Sequence, residues 1–392
     1  MHTTRTDVGT VEDLHASATR LTGLDDFGDD DYLDGLRVLL ASYATESAFT
    51  PAGSRATRAM VRTALVSRLL SEAAWRQHPE HASVAVTRPI FVTGLPRTGT
   101  TALHRLLAAD PAHQGLELWL AEAPQPRPPR QDWESHPVYS ALQAGFGRHH
   151  ESDPEFMGMH YTAADQVEEC WRLLCQSMRS VSFECLAHIP AYSGWLATQD
   201  WTSAYRRHRR NLQLIGLPDR DRRWVLKNPS HLFALDALLA AYPDAVVIQT
   251  HRAPRTAIAS VCSLNARAAR GWSERFGGET VGRGQLALWS RGVRRFLADR
   301  ERHAPEHFID VGYDDFVADP IGIVAAIYDR LGRPLSPQAR TAMLALHARS
   351  RSGLARPAHR YELADFGLTA AEVDEAFGDY LATYPGVSPS GR

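Results

Sequence analysis

Cysteine is scarce. The 392 residues hold four, Cys170, Cys175, Cys185 and Cys262. Their spacings match no zinc or redox motif, so they read as free, buried thiols in a reducing cytoplasm. Long apolar runs are missing too: none approaches the ~20 residues that a membrane span requires. The N-terminal stretch MHTTRTDVGTVEDLH lacks the basic-then-apolar pattern of a secretory leader. Neither sign of charge dominates, with 43 Lys and Arg against 45 Asp and Glu and a net charge of −2. That balance provides no general attraction to nucleic acid or to an anionic membrane. Internal repeats and low-complexity tracts are also absent. What remains is ordinary globular material, 44% hydrophobic and 22% charged. The length allows two domains or one large α/β domain with insertions.

One further absence is local. The run RPIFVT (88 to 93) reads as a short buried strand and leads into Gly94-Leu-Pro-Arg97-Thr98-Gly99-Thr100-Thr101, which opens the helix TALHRLLAA. Strand, glycine-bounded loop and helix N-terminus together aim backbone N–H groups at one spot, a geometry that suits phosphate or sulfate. The lysine of the GxxxxGK[ST] phosphate loop is missing. Thr100 stands in its place, and the only cation of the loop is Arg97, three positions earlier.

The rest of the chain supplies a frame for that loop. Residues 10 to 88 show helical spacing of apolar residues, interrupted by the acidic turn Asp25 to Tyr32, which reads as dipole compensation for the following helix. Residues 123 to 137 are proline-rich and irregular. In DWTSAYRRHRRNLQLIGL, Trp201, Tyr205, His208, Leu212 and Ile215 share a face. Arg206, Arg207, Arg209 and Arg210 read as a solvated cationic face. Further strands are expected at 224 to 228, 245 to 251 and 307 to 316, alternating with helices, which demands a parallel sheet with crossover helices. The expected fold is α/β, a three-layer sandwich around a central parallel sheet. A helical region is expected at 1 to 87 and the α/β domain at 88 to 392, with a helical acceptor-site insertion at about 117 to 220.

In open parallel sheets ligands lie beyond the carboxyl ends of the strands. Here three such ends deliver cations: Arg97 in the loop, Lys227 after WVL, and Arg252 after VVIQTH. That set favours a ligand with several phosphate-like groups. A nucleoside triphosphatase fits poorly, because no strand ends in the aspartate that holds magnesium and AVVIQT runs instead into His251 and Arg252.

These segments resemble a known family. FVTGLPRTGTTALHRLL resembles the 5′-phosphosulfate loop of sulfotransferases that use 3′-phosphoadenosine 5′-phosphosulfate (PAPS). HRAPRTAIASVCSL resembles their 3′-phosphate motif, with Arg252 followed eight residues later by Ser260. EECWRLL, AYRRHRRNLQLIG and WVLKNPSHLFALDALLAAYPDAVVIQTHRAP look like bacterial members, and the resemblance runs from about residue 12 to about 380. Arg97 stands where the cytosolic eukaryotic members have lysine, which makes the loop more similar to the Pro-Arg-Ser/Thr-Gly-Thr-Thr loop of tyrosylprotein sulfotransferases. The resemblance implies that Arg97, Thr98, Gly99, Thr100 and Thr101 bind the 5′-phosphosulfate, and that Arg252 and Ser260 bind the 3′-phosphate. The basic segment 349 to 360 is then placed to close over the nucleotide.

On that reading an acceptor hydroxyl or amine attacks sulfur in line, and 3′-phosphoadenosine 5′-phosphate (PAP) is the product. Arg97 and Lys227 would stabilise the charge that builds on the leaving phosphate oxygen. A base is also required, and two candidates stand out. Glu117 lies in HQGLELW, where related enzymes carry a catalytic Glu; its plain alternative is a solvated loop acid. His231 lies in KNPSHL, just beyond a strand end; its alternative is a capping or packing histidine. His104, His160 and His359 read as structural or substrate-lining. Trp119, Trp133, Phe156, Met157, Met159 and Tyr161 suggest a small hydrophobic acceptor, although such residues more often build cores. No metal is required, no nucleic-acid partner is expected, and the oligomeric state stays open. The alternatives are an atypical phosphate-loop kinase and a non-catalytic PAP- or nucleotide-binding protein.

Overall fold

The computed structural model describes residues 7–152, 162–352 and 361–387. Five strands form one parallel sheet: β1 (Ile90–Gly94), β2 (His113–Gln114), β3 (Arg223–Lys227), β4 (Val246–His251) and β5 (Phe308–Gly312). Their order is β2-β3-β1-β4-β5, so β1 is central, with β3 on one side and β4 on the other. All five β1 residues are buried.

Side chains on a strand alternate between the two faces of the sheet, and the core splits accordingly. Ile90 and Val92 pack with Leu103, Leu107, Val324 and Met343 from helices Thr100–Ala108, Pro320–Arg330 and Pro337–Ser352. Phe91 packs on the other side with Tyr205, Leu235, Tyr242 and Leu288. The sheet is thus covered on both faces, and the expected three-layer α/β sandwich is the observed one.

The last strand ends earlier than the sequence pattern suggests. β5 stops at Gly312, and Tyr313–Ala318 is a helix with Asp314 and Asp315 in its first turn. Acids are favourable at that end of a helix dipole, which explains why DD belongs to a helix start and not to the strand.

The N-terminal segment forms helices Val11–Thr22, Leu33–Thr45 and Pro51–Gln77. Thr10 caps the first in a reciprocal capping box, and Thr50 with Pro51 starts the third. The acidic turn gives the second helix no side-chain cap: its N-cap residue is Tyr32, which makes no such bond. Its groups turn instead to Arg68, which is fully buried. That guanidinium donates to Phe27 O (2.6 Å), Asp29 O, Asp31 Oδ1 (2.8 Å) and Gln176 O (3.1 Å), and it stacks on Tyr32. A buried cation needs this many acceptors to offset its desolvation.

The solvated cationic face also needs correction at one position. Arg206, Arg209 and Arg210 of helix Thr202–Ile215 are exposed, but Arg207 is buried against Glu72 and Gln176. Burial pushes its pKa down to about 10. Both partners lie on other elements, so they cannot be read from the helix itself.

Candidate functional site

The loop after β1 is shaped by backbone that few residues tolerate. Gly94 has φ 140°, and a Cβ there would lie 2.5 Å from Thr250 O on β4. Gly99 has φ 87° and lies against the Tyr313 ring. Arg97, with φ 70°, adopts the left-handed region that non-glycine residues seldom occupy. Left-handed residues within a tight loop gather successive N–H groups into an anion-binding concavity, and the N-terminus of helix Thr100–Ala108 reinforces it.

The three loop threonines face different ways. The Thr98 hydroxyl is buried, donates to Leu95 O (2.6 Å) and meets Thr250 Oγ1 at 2.6 Å. Its side chain therefore braces the loop against β4. Thr100 is buried at the helix start. The Thr101 hydroxyl accepts a hydrogen bond from Lys227 Nζ at 3.2 Å.

On the β4 side, Arg252 and Ser260 meet the loop directly. Arg252 Nη1 donates to Arg97 O (2.8 Å), and its guanidinium lies 4.0 Å from the Tyr313 ring centre. Arg97 Nε donates to Ser260 Oγ at 3.1 Å. Ser260 sits on helix Pro254–Ala268, which begins directly after β4. The structure therefore brings Arg97, Arg252 and Ser260 into one cluster. It also adds Tyr313, which the expected longer strand concealed. Behind this cluster, His251 bridges Asp310 (2.9 Å) and Tyr380 (3.1 Å) and ties the end of β4 to β5 and to helix Gly378–Thr383.

The β3 side carries a different pair. Lys227, the only lysine in the chain, is buried at the end of β3. Besides Thr101 it donates to the carboxylate of Glu169, with which it forms an ion pair. Glu169 is held by its neighbours. Glu168 N donates to Leu116 O (2.8 Å), Leu118 N to Gln166 O (3.0 Å), and Cys170 N to Lys227 O (3.0 Å). The stretch 166 to 170 is thereby laid across the end of β3, and the Glu169 side chain stays about one-fifth exposed. Glu169 was not among the sequence candidates.

The two expected bases occupy other surroundings. Glu117 is not a solvated loop acid. It is largely buried, and Arg127 Nε donates to its Oε2 at 3.1 Å. Burial raises its pKa against the pull of Arg127. Arg127 also binds Gln114 Oε1 (2.8 Å) and Gly115 O (2.7 Å), so this proline-rich excursion is anchored by a buried cation. Glu117 pairs through its backbone with Val167 and so borders the strip that carries Glu169. His231 is fully buried, 2.6 Å from Tyr205 OH through Nδ1 and edge-on to Phe91. Burial lowers its pKa well below the usual value, with smaller contributions from His208 and Lys227. His104 is likewise buried, bonded to Val225 O (3.1 Å), and lowered to about 3, mainly by burial and then by Lys227.

Among the expected acceptor-lining residues, Trp119 and Trp133 pack edge to face at 5.5 Å inside the core. Phe156, Met157, Met159, His160 and Tyr161 lie outside the described residues, as do His359 and most of segment 349 to 360. A cleft of about 560 Å³ opens along Arg255, Thr256 and Ala259, on the helix that carries Ser260, and faces Tyr361 and Leu363. Among the described residues, no helix is long and apolar enough to cross a membrane, and no cluster of three or more His, Cys, Asp or Glu residues has the geometry of a metal site.

This arrangement has close counterparts. The chain is 56% identical to the crystal structure of sulfotransferase STF1 from Mycobacterium tuberculosis H37Rv, with a TM-score of 0.89 over 96% of this chain and 100% of that one. Sulfotransferase STF9 from Mycobacterium avium is 29% identical, with a TM-score of 0.88 over 98% of each chain. Curated relatives named omega-hydroxy-beta-dihydromenaquinone-9 sulfotransferase Stf3, from Mycobacterium bovis and Mycobacterium tuberculosis, are 27% identical over 263 residues. That match spans 64% of this chain and 64% of theirs. A profile described as the sulfotransferase family matches residues 89–337, the stretch that contains the β1 loop, Lys227, Arg252 and Ser260. With that match over more than half its length, the chain belongs to the sulfotransferase family.

Proposed function

We propose that this protein moves a sulfuryl group from PAPS to a hydroxyl on a small, largely apolar acceptor. The observation that carries this reading is the placement of the β1 loop between two unlike groups, Arg97–Arg252–Ser260 on the β4 side and Lys227–Glu169 on the β3 side. The first suits the 3′-phosphate of the donor and the loop amides suit its 5′-phosphosulfate. Family membership supports PAPS as the donor. The acceptor class rests on the Stf3 relatives, whose name specifies an omega-hydroxylated dihydromenaquinone.

Atoms and charge then balance through this chain's own residues. The acceptor oxygen forms a bond to sulfur as the bond from sulfur to the phosphate oxygen breaks. The electron pair left on that oxygen is met by Lys227 Nζ and the helix-start amides. The acceptor proton passes to the Glu169 carboxylate, which is partly exposed and already within reach of Lys227. Glu117 and His231 are engaged with Arg127 and Tyr205. The proposal gives them supporting roles, with Glu117 beside the Glu169 strip and His231 beneath the Lys227 turn.

The test is transfer of label from radiolabelled PAPS to a panel of apolar alcohols, phenols and quinols. The expected result is a sulfated product that Glu169→Gln abolishes. Turnover of ATP in place of PAPS would overturn this reading in favour of a kinase. Tight PAP binding with no product from any acceptor would favour the binding protein.

A further inference from the structure

Among the described residues four arginines are buried, and three of them are well supplied with acceptors. Arg68 reaches three carbonyl oxygens and a carboxylate. Arg127 reaches Glu117, Asp219, Gln114 and Gly115 O. Arg207 reaches Glu72 and Gln176. Arg223 is the exception. It opens β3 with only 8% of its surface exposed, and its guanidinium makes one hydrogen bond, from Nε to Arg88 O. Its Nη2 is closed off from solvent and meets no acceptor. A guanidinium offers five N–H donors, and a buried donor left unmet carries the full cost of its desolvation.

This unmet donor lies at the amino ends of the parallel strands, at the opposite end of the sheet from the β1 loop. Two more arginines come to the same place. Arg88 stands two residues before β1 at φ 44°, a left-handed conformation seldom seen before a proline. Asp244 Oδ2 accepts from its N at 2.7 Å, and the held backbone presents its carbonyl oxygen to Arg223. Arg333 follows helix Pro320–Arg330, and its N donates to Tyr328 O (3.1 Å). The Tyr328 ring lies 5.9 Å from the ring of His113, which pairs with Arg223 across β2 and β3. Arg88 and Arg333 are exposed, and neither guanidinium bonds a described residue. Their charges nonetheless reach Arg223: burial, then repulsion by Arg88 and Arg333, pushes its pKa down to about 10. The nearby carboxylates are engaged elsewhere. Asp110 is held by Tyr328 OH and Ala112 N, and Asp244 by Arg88 N.

We propose that Arg223, Arg88 and Arg333 form a second oxyanion site, remote from the transfer site, that takes a free sulfate or phosphate ion. The planar fork of Arg223 supplies the buried floor, because its N–H groups match the oxygens of a tetrahedral anion. The side chains of Arg88 and Arg333 are long, exposed and unbonded, so they part to admit the ion and close over its outer oxygens. A doubly charged anion there meets the orphaned Nη2 and offsets the local excess of positive charge. It also ties the starts of β1 and β3 to the turn after helix Pro320–Arg330, so its effect is on the stability of the sheet and not on the chemistry. This inference is independent of the donor reading.

The experiment titrates sulfate by calorimetry, at fixed ionic strength, into the wild-type chain, Arg97→Ala and the double variant Arg88→Gln/Arg333→Gln. The wild type should bind sulfate with a Kd of about 1 mM or tighter. The double variant should weaken that binding at least ~10-fold, the equivalent of one charge-assisted hydrogen bond. Arg97→Ala should keep it, since any sulfate in the β1 loop is a separate site. Urea unfolding provides a second measurement. The gain in midpoint on replacing chloride by sulfate should shrink in the double variant, whereas the general effect of sulfate on burial is common to both chains. If the double variant binds sulfate as the wild type does, or if Arg97→Ala alone removes all binding, the site is overturned. Absence of sulfate binding by the wild type up to about 10 mM overturns it equally.

Discussion

The two flanks of the β1 loop solve different problems with similar residues. On the β4 flank Arg252 meets a carbonyl oxygen and an aromatic face, and among the described residues no carboxylate pairs with it. On the β3 flank the single lysine meets the Glu169 carboxylate. A cation supported by neutral groups keeps its attraction for an incoming anion. A lysine–carboxylate pair is already neutral overall and can separate when a substrate competes for the lysine, leaving a base behind. Lysine also suits that exchange better than arginine, because it is a compact charge on a flexible stem and lacks a rigid fork. On the proposed reading one flank holds the donor and the other takes part in the transfer.

The largest expected effect breaks the β3 flank. Glu169→Gln keeps the shape and a hydrogen-bond acceptor for Lys227 but removes the carboxylate proposed as the base. Turnover should fall by about 10²–10⁴-fold, the usual contribution of general base catalysis, with no loss of PAP affinity, because the β4 flank is untouched and Lys227 keeps its charge. Steady-state transfer kinetics beside calorimetry check both halves. Loss of PAP binding with no specific loss of turnover would mean that the two flanks are not functionally distinct.

Breaking the β4 flank gives the converse. Arg252→Ala should weaken PAP by roughly 10- to 100-fold, the equivalent of one or two charge-assisted hydrogen bonds. Turnover at saturating donor should drop much less. An unchanged PAP affinity would remove Arg252 from the 3′ subsite.

How much of this was legible without coordinates differs between the flanks for a physical reason. The β1 loop, Arg252 and Ser260 are local features. Glycine-bounded turn chemistry and an eight-residue spacing are visible along the chain, and the structure joins them by contacts at 2.8 and 3.1 Å. Glu169 lies 58 positions from Lys227. It sits in QVEECWRLL, which has helical spacing throughout, whereas the helix starts only at Trp171. The residues before it are pulled into extended pairing with Leu116 and Leu118, a tertiary effect that no local pattern records. One signal was available: among 43 basic residues, the chain places its one lysine at a strand end. Arg127 was hidden in the same way, since a proline-rich stretch gives no sign that its arginine is buried. The Asp314–Asp315 pair was legible in principle, as acids at a helix start, but it follows a strand pattern closely enough to be absorbed into it.

Acid provides a third way to sharpen the contrast. Beneath β3 and β1 lie three buried histidines. Burial lowers His104 and His208 to about 3 and holds His231 well below its usual value. Their folded pKa values lie below the unfolded value near 6.5, so below pH 6.5 the unfolded chain takes up protons that the folded chain refuses. Their contribution is complete above about pH 6.5 and is lost progressively as the pH falls toward the folded values. Each histidine should add about 1.4 kcal/mol of lost stability per pH unit once the pH is well below 6.5. Urea unfolding at pH 7 and pH 5 measures the total. His208→Gln should reduce the acid slope by about one proton, and an unchanged slope would mean that His208 is charged in the fold.

The smallest expected effect tests a single hydroxyl. The family resemblance places Thr98 with the ligand-binding residues, but its side chain points inward to Leu95 O and Thr250 Oγ1. Thr98→Val preserves shape and leaves those two partners short of one hydrogen bond. The expected cost is about 1–2 kcal/mol of stability, read from the unfolding midpoint. PAP affinity should change by less than ~3-fold, since backbone amides, not this hydroxyl, would face the phosphosulfate. Thr101→Val provides the contrast within the same loop: its hydroxyl touches Lys227, so its loss should appear in turnover before it appears in stability. If Thr98→Val instead lowers PAP affinity tenfold at unchanged stability, the hydroxyl turns outward when donor binds, and the loop is less rigid than its bracing to β4 implies.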